Sequence, residues 1–204
     1  MAGLLVLTHG LPGSGKSSFA AWLRELYPEL VTVAERDELR AMLLPADYHD
    51  RGHDPQSEAL VQSAQYDILR EALALGRIGV VSDTNLAEIR IRPLVTLARS
   101  LGARVLHASM DVTVAESKLR NQLRADFGGR FVPGWVIDEM VGYGYAAGRL
   151  KSFSIQSTGP GTEDFAVLIE ERSGSELTMA EERELIQSAV VELFEASIEI
   201  HSNS

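Results

Sequence analysis

The residue types and spacing between positions 10 and 18 predict a loop that binds phosphate. The segment GLPGSGKSS fits the pattern G-x-x-x-x-G-K-[ST]. In such a loop the glycines let backbone N–H groups surround phosphate oxygens, the lysine neutralises charge, and the serine can ligate Mg²⁺ at a helix N-terminus. The predicted nucleotide-binding residues of this loop are Gly10, Gly13, Ser14, Gly15, Lys16, Ser17 and Ser18. The motif predicts a nucleoside triphosphate site and leaves open a kinase, an ATPase or a switch.

An acid and a base, Asp37 and Arg40, follow the next apolar stretch at a spacing of three residues. On a helix this spacing places both side chains on one face of the first turn. A carboxylate there can accept the proton of a hydroxyl that attacks a γ-phosphoryl group. A guanidinium one turn later can hold an anionic group of the acceptor. The alternative is an exposed ion pair that contributes little to stability.

A third polar cluster, Ser82-Asp83-Thr84-Asn85, ends another apolar stretch. In an open α/β sheet ligands lie outside the carboxyl ends of the strands, so these residues should meet Asp37 and Arg40 near the γ-phosphate. Asp83 is expected either to support Mg²⁺ or to brace Lys16 or Arg40. Thr84 and Asn85 would touch the acceptor or, alternatively, cap the turn.

The segment 117–135 predicts an arginine-bearing lid. Arg120 and Arg124 are four residues apart on one helix face, and a glycine-containing loop with Arg130 and Val132 follows. A mobile helix of this kind neutralises transition-state charge and excludes water in many P-loop kinases. The alternative is a solvated helix with no functional role.

The elements that must position these residues alternate between short apolar strands and helices. Such a pattern predicts a parallel sheet of about five strands covered by helices on both faces, the P-loop NTPase fold with a helical lid. The predicted strands are 4–8, 30–34, 78–82, 104–108 and 165–169. The predicted helices are 16–26, a long helix opened by Asp54 and Pro55 and ended by Gly76, 88–101, 113–125 and 134–146.

Charge and composition divide the chain of 204 residues into residues 1–160, the predicted kinase domain, and an acidic appendage, 161–204, packed on it. The net charge is −10, and the appendage holds eleven acids against two arginines. A capping box at Thr178 and Glu181 opens a final amphipathic helix whose apolar stripe favours core packing over a dimer surface. There is no cysteine and no long apolar run, so we expect a cytoplasmic protein without membrane contact. A homo-oligomer stays open.

Four motifs in order make residues 3–150 similar to the kinase domain of bacteriophage polynucleotide 5′-kinases. They are Gly-x-Pro-Gly-Ser-Gly-Lys-Ser, Arg-Asp-x-x-Arg, Ser-Asp-Thr-Asn-Leu, and Arg-Asn-x-x-Arg ahead of Val-Pro. The resemblance implies that Lys16 and Ser17 bind ATP phosphates and Mg²⁺ and that Arg124 reaches the ATP phosphates. It also makes Asp83 an essential support residue.

On the acceptor side, the resemblance implies that Asp37 is the general base for a 5′-hydroxyl. Arg40 would bind the 3′-phosphate of the terminal nucleotide, and Val132 would pack on its base. The loop 125–131 is longer than in this family, which bears on the acceptor pocket. The D-x-D-G-T motif of the family's 3′-phosphatase is absent from the sequence, so we expect no phosphatase.

The leading hypothesis is therefore an ATP- and Mg²⁺-dependent kinase acting on the 5′-hydroxyl of DNA or RNA ends. The alternatives are the same chemistry on a hydroxymethylated base, a nucleoside or another small molecule, and a nucleotide-driven switch. Predicted catalytic residues are Lys16, Asp37, Arg40, Asp83 and Arg124, with Ser17 and Asp83 as the predicted metal residues and Arg120 and Arg124 added to the nucleotide site. Predicted substrate-binding residues are Asp37, Arg40, Thr84, Asn85, Arg130 and Val132.

Overall fold

The computed structural model describes residues 3–48 and 54–142, together with the backbone of the strands 145–146, 149–150 and 165–170. The strands are β1 (Leu4–His9), β2 (Val31–Val33), β3 (Ile78–Val81), β4 (Arg104–Asp111), β5 (Tyr145–Ala146), β6 (Arg149–Leu150) and β7 (Phe165–Glu170). The helices are α1 (Lys16–Leu26), α2 (Arg36–Leu43), α3 (Pro55–Ala74), α4 (Glu88–Ser100), α5 (Val114–Asp126) and α6 (Gly134–Gly142).

Five strands form a parallel sheet in the order β2-β3-β1-β4-β7. The strand β1 lies at its centre, between β3 and β4, and the short β5 and β6 pair separately as an antiparallel ribbon. The predicted α/β architecture with a parallel sheet is confirmed. Because the carboxyl ends of parallel strands share one edge, the segments that follow β1, β2 and β3 meet there.

Alternating side chains of β1 divide the core into two layers. Leu4 and Val6 face one cluster, which includes Leu23 of α1, whereas Leu5 and Leu7 face a second cluster built on α3 and α4. A strand exposes successive side chains on opposite faces, so an uninterrupted apolar strand requires helices on both sides. The buried central strand fixes the position of the loop that leaves it.

Two predicted boundaries need correction. The helix predicted over 134–146 ends at Gly142, and Tyr145–Ala146 is a strand instead; the glycines of the segment GYG disfavour a helix. The strand predicted over 104–108 continues to Asp111, because β7 pairs with it from Leu106 onwards. The capping box and the final helix lie outside the described residues.

The long helix α3 begins as predicted. The Asp54 carboxylate accepts hydrogen bonds from the backbone N–H groups of Gln56 and Ser57 at 3.0 and 2.9 Å, which satisfies two donors that a helix start leaves open. Pro55 occupies the first helical position, where it sacrifices no hydrogen bond. In the described part of the chain, no helix is long and apolar enough to cross a membrane.

Candidate active site

The loop between β1 and α1 is packed tightly against α5. Gly13 and Gly15 have φ angles of 77° and 97°, which favour glycine. A β-carbon on Gly13 would lie 3.0 Å from the carbonyl oxygen of Ser117. The Ser117 hydroxyl donates to the Pro12 carbonyl oxygen at 2.6 Å. The helix that carries the lid arginines is therefore fastened to the phosphate-binding loop.

Lys16, the lysine of the motif, is almost completely buried at the start of α1. Its Nζ donates to the Leu11 carbonyl oxygen at 2.7 Å and to Ser14 Oγ at 3.3 Å. Burial lowers the pKa of Lys16 to about 8, and the nearby Glu35 carboxylate opposes this shift. An ammonium group so poorly hydrated interacts strongly with any phosphate that enters the loop.

Glu35 is a candidate that sequence reasoning missed. Its Oε1 accepts a hydrogen bond from Ser17 Oγ at 3.0 Å, and its Oε2 accepts one from Ser82 Oγ at 2.8 Å. Burial raises the pKa of Glu35, and the two hydroxyl donors partly offset that effect. The sequence contained one usable signal, because Glu35 is the first charged residue after β2, at the sheet edge where ligands bind.

Asp37 lies on α2 between two arginines. Arg40 Nη1 donates to its Oδ1 at 2.6 Å, and Arg130 Nη1 donates to both of its carboxylate oxygens. Burial alone would raise the pKa of Asp37, but Arg130 and Arg40 together outweigh burial and hold the pKa below its usual range. The carboxylate is thus ionised at neutral pH and available as a proton acceptor once one arginine moves away.

Arg40 is held from the opposite side by α3. Its Nε and Nη2 donate to the two carboxylate oxygens of Glu58 at 2.8 and 2.7 Å, a bidentate pair. The Tyr48 hydroxyl donates to the same carboxylate at 3.1 Å. Hydrogen bonds to Glu58 raise the pKa of Arg40 above its ordinary value. The predicted pair of Asp37 and Arg40 is therefore part of a larger hydrogen-bond network, and its other members, Glu58 and Tyr48, were not predicted from the sequence.

Asp83 braces the start of α2. Its Oδ1 accepts from the Arg36 backbone N–H at 3.2 Å, and its Oδ2 accepts from Gln65 Nε2 at 2.8 Å. Burial raises the pKa of Asp83, against these hydrogen bonds and the charge of Arg36. Its hydrogen bonds go to Arg36 and Gln65 rather than to Lys16 or Arg40, and the carboxylate bonded to Ser17 belongs to Glu35.

Asn85 faces the interior of the protein. Its side-chain amide donates to the Thr8 carbonyl oxygen at 2.8 Å. The backbone carbonyl oxygen of Asn85 lies 2.8 Å from Nδ1 of His9. The φ angle of 47° is one that asparagine tolerates better than most residues. Of the two roles left open from the sequence, shaping the turn after β3 matches this position, and contact with an acceptor does not.

Asn121 attaches the loop after α5, the predicted lid, to the domain. The side-chain amide of Asn121 donates to the Val132 carbonyl oxygen at 2.7 Å, and its Oδ1 accepts from the Val132 N–H at 3.0 Å. Val132 packs with Leu11 and Ile137 in a buried cluster. Asn121 is a second positioning residue that sequence reasoning did not single out, and it fixes where the loop after α5 returns to the domain.

Comparison with known proteins gives this arrangement a family. Residues 5–143 match the sequence profile of a family described as an AAA domain. The chain belongs to the AAA domain family. The match spans every element from β1 to α6 and therefore contains the whole of the site described above.

Several solved structures share the fold of this AAA domain although their sequence identity to it is low. A chain of the Pnkp1/Rnl/Hen1 RNA repair complex is 22% identical with a TM-score of 0.62, covering 79% of this chain but only 53% of its own length. A gluconokinase from Sinorhizobium meliloti is 15% identical with a TM-score of 0.54, covering 100% of this chain and 97% of its own. Chaetomium thermophilum Kti12 in complex with ADP-AlF3 is 12% identical, with a TM-score of 0.54 and coverages of 91% and 96%.

The AAA domain thus has a P-loop kinase fold, which implies nucleotide binding. The predicted fold class is confirmed. For the predicted resemblance, membership of the AAA domain family and the P-loop kinase fold are confirmed, whereas the polynucleotide 5′-kinase family and a bacteriophage origin stay predictions. The chain spans about half of the RNA repair chain that it matches.

A single cleft of about 450 Å³ in this AAA domain brings most predicted site residues together. Glu35, Arg36, Ser82, Val136 and Met140 also line it. The predicted residues that line it are Gly13, Gly15, Lys16, Ser17, Ser18, Asp37, Arg40, Asp83, Thr84, Arg120, Arg124, Arg130 and Val132. Three other predicted site residues, Gly10, Ser14 and Asn85, are buried and do not line the cleft. The cleft therefore joins a phosphate-binding loop, three carboxylates and arginines from three different segments of the chain.

Proposed function

We propose that this chain is an ATP-dependent kinase that transfers the γ-phosphate of ATP to the 5′-hydroxyl of nucleic-acid ends. The observation that carries the proposal is the position of Asp37, an ionised carboxylate in the same cleft as Lys16 and Ser17. A nucleotide switch uses a carboxylate there to hold Mg²⁺, whereas a kinase needs a further carboxylate to receive the proton of the acceptor hydroxyl.

In the proposed reaction the acceptor oxygen attacks the γ-phosphorus in line with the bond to ADP. The new O–P bond forms, the bond to the β–γ bridging oxygen breaks with its electron pair on ADP, and the hydroxyl proton passes to an Asp37 oxygen. Lys16 neutralises charge on the transferring phosphoryl group. Arg124, whose Nη2 donates to Asn121 Oδ1 at 3.1 Å, supplies a second cation from the lid.

The residues around Ser17 fit a Mg²⁺ ion that arrives with the nucleotide. The Ser17 hydroxyl and the Glu35 carboxylate are hard oxygen donors of the kind Mg²⁺ prefers, and they lie at the phosphate-binding loop. Within residues 3–48 and 54–142, no group of three or more His, Cys, Asp or Glu side chains forms a self-sufficient metal site. A Mg²⁺ ion held here would therefore depend on nucleotide oxygens, and it would neutralise phosphate charge.

The acceptor class rests on two supports. The motifs after β2 and β3 resemble those of polynucleotide kinases, and the fold is shared with a chain of an RNA repair complex. A small-molecule acceptor is the second candidate, because the gluconokinase likeness covers both chains almost completely. We place the reaction in the cytoplasm, where ATP is available, and assign it to residues 1–160.

The test is a transfer assay with γ-labelled ATP and a panel of acceptors. The panel contains 5′-hydroxyl DNA and RNA oligonucleotides, hydroxymethylated DNA with blocked ends, nucleosides and gluconate. We expect label on the 5′-hydroxyl oligonucleotides and none with the Lys16→Ala variant. Label only on nucleosides, gluconate or the modified base would replace the acceptor, and ATP hydrolysis insensitive to every acceptor would replace the kinase by a switch.

A further inference from the structure

The contact between Asp37 and Arg130 joins two distant segments of the chain. Arg130 Nη1 donates to both carboxylate oxygens of Asp37, and the two residues are 93 positions apart. Of the described residues, Arg40 is the other partner of this carboxylate; it lies on α2 with Asp37 and is also held by Glu58 of α3. Of these two arginines, Arg130 is therefore the one whose departure leaves α2 as it is.

The bridge from Arg130 to Asp37 is easily broken. The side chains of Arg130 and Asp37 are 39% and 37% exposed, and ion pairs that water reaches this freely contribute little to stability. Within residues 3–48 and 54–142, the Arg130 side chain makes no hydrogen bond other than those to Asp37. Its loop also contains Gly128, whose φ angle of 79° gives the backbone a turn that favours glycine. The bridge can therefore open while α5 and α6 stay in place.

The bridge lies where it controls the reactivity of the carboxylate. Asp37 and Arg130 both line the cleft that contains Lys16 and Ser17. Burial raises the pKa of Asp37, and the charge of Arg130 is the largest of the effects that lower it. A carboxylate with a lowered pKa is a weaker base, and here both of its oxygens already accept a hydrogen bond. While Arg130 stays in place, Asp37 is thus a poor proton acceptor for any hydroxyl in the cleft, including that of water.

Water is the competitor that such a bridge must exclude. In ATP hydrolysis a water oxygen attacks the γ-phosphorus and forms a new O–P bond. The bond to the β–γ bridging oxygen breaks with its electron pair on ADP, a water proton passes to Asp37, and inorganic phosphate is released. An acceptor alcohol carries further groups that bind in the cleft, and their binding energy can displace Arg130. A water molecule has no such groups, so it leaves the bridge intact.

We propose that Arg130 determines the selectivity for the acceptor alcohol over water, because it bridges Asp37 until an acceptor displaces it. This inference rests on the proposed function, since it takes Asp37 as the base. It goes beyond that function in predicting that bound ATP is hydrolysed slowly when no acceptor is present. The same bridge serves any alcohol acceptor. In this role Arg130 is a positioning residue that acts through Asp37.

The experiment measures two rates for each variant: phosphate release from ATP without acceptor, and transfer to a saturating 5′-hydroxyl oligonucleotide. A positioned base is worth about 10²–10⁴-fold, so its release in Arg130→Gln should raise phosphate release by at least about tenfold and lower the ratio of transfer to hydrolysis. Arg130→Lys, which keeps a cation, should raise phosphate release less. Arg92→Gln, which removes an exposed arginine paired with Glu88 on α4, is the matched control and should behave as wild type.

Two further measurements show whether the effect runs through Asp37. Adding Asp37→Asn to Arg130→Gln should abolish the extra phosphate release. In Arg130→Gln the acid limb of the pH profile of hydrolysis should move to higher pH, because loss of the cation raises the pKa of Asp37. A change that only loosened the loop would not move this limb. Circular dichroism and thermal melting check folding, and Arg130→Lys carries the test if Arg130→Gln is unfolded.

The outcomes separate the inference from the proposed function. Phosphate release in Arg130→Gln at or below the wild-type rate would overturn the inference, as would a raised rate that persists after Asp37→Asn. If wild type transfers phosphate to oligonucleotides but hydrolyses ATP equally fast without them, the inference alone is wrong. If only another alcohol is labelled, the proposed acceptor is wrong, and the hydrolysis rates of the Arg130 variants still decide the inference. If no alcohol is labelled, both are refuted.

Discussion

Replacing Glu35 by glutamine should separate the metal-dependent part of nucleotide binding from the rest. The carboxylate of Glu35 lies 3.0 Å from the Ser17 hydroxyl and is otherwise bonded to Ser82. Glutamine keeps the shape and one acceptor oxygen but removes the negative charge. Glu38, which lies in the first turn of α2 and is exposed, provides a matched control with the same substitution.

The magnitude follows from two opposing effects. Residues that orient a metal and its ligands are typically worth about 10- to 100-fold in metal affinity, or about 1.4–2.7 kcal/mol. In the absence of Mg²⁺, however, the carboxylate repels the β- and γ-phosphates, so its removal should strengthen binding. Fold stability should change by less than about 1 kcal/mol, because weaker hydrogen bonds to the two serines are offset by the lower cost of burying a neutral amide.

The assay is the dissociation constant of a fluorescent ATP analogue, measured with Mg²⁺ and with EDTA. For Glu35→Gln we expect the Mg²⁺-induced gain in affinity to fall by about 10- to 100-fold, while affinity in EDTA rises. For Glu38→Gln both values should match wild type. Equal losses in Mg²⁺ and in EDTA would show that Glu35 only shapes the loop, and the Mg²⁺ assignment would then be refuted.

Three further predictions concern catalysis, packing and pH. Asp37→Asn should lower kcat by about 10²–10⁴ with ATP affinity nearly unchanged, and a collapse of ATP affinity at normal turnover would contradict the role of base. Leu69→Ala should lower the free energy of unfolding in urea by about 2–5 kcal/mol, because Leu69 is fully buried. Gly79→Ala should be less destabilising in the Leu69→Ala background than in wild type, since a β-carbon on Gly79 would lie 2.9 Å from Leu69 Cδ2. Strictly additive losses in the double variant would exclude this contact. Burial lowers the pKa values of His9 and His107 to about 4, so the unfolded chain binds protons that the fold does not. The free energy of unfolding should thus fall by about 2 kcal/mol per histidine as the pH is lowered from 7 to 5. The buried carboxyls of Glu35 and Asp83, whose pKa values are raised, partly oppose this loss. An unfolding midpoint in urea that does not change with pH would contradict the prediction.

The sequence was sufficient for the architecture because its signals are local. Apolar stretches of strand length, the Asp54-Pro55 start of α3 and the glycine-rich loop each depend on neighbours in the chain. Parallel sheets bury their strands on both faces, so these stretches lacked period-2 alternation, and their short length and flanking glycine or proline residues identified them as strands instead. The exception was 134–146, where apolar residues continued past the glycines that end the helix.

The site was predictable in its membership but less so in its pairings. The strand-end rule placed Asp37, Arg40 and Asp83 at one edge, and all three line the cleft. Which carboxylate bonds which cation depends on α3, because Glu58 and Gln65 come from a helix whose rotation cannot be read from spacing. Asn85 illustrates the same limit, since a polar residue after a strand can face the cleft or the interior.

The attachment of α5 to the phosphate-binding loop divides the domain into a part that tolerates little variation and a part that tolerates much. Ser117 bonds Pro12, and Asn121 fixes Val132, so the ends of the segment between them are tied to the nucleotide site. Residues 125–131, which include Arg130, lie between Asn121 and Val132 in the chain. We expect insertions, deletions or grafts there that keep Arg130 to reshape the proposed acceptor pocket while the nucleotide site keeps its geometry, so this loop is where a new acceptor specificity should be engineered.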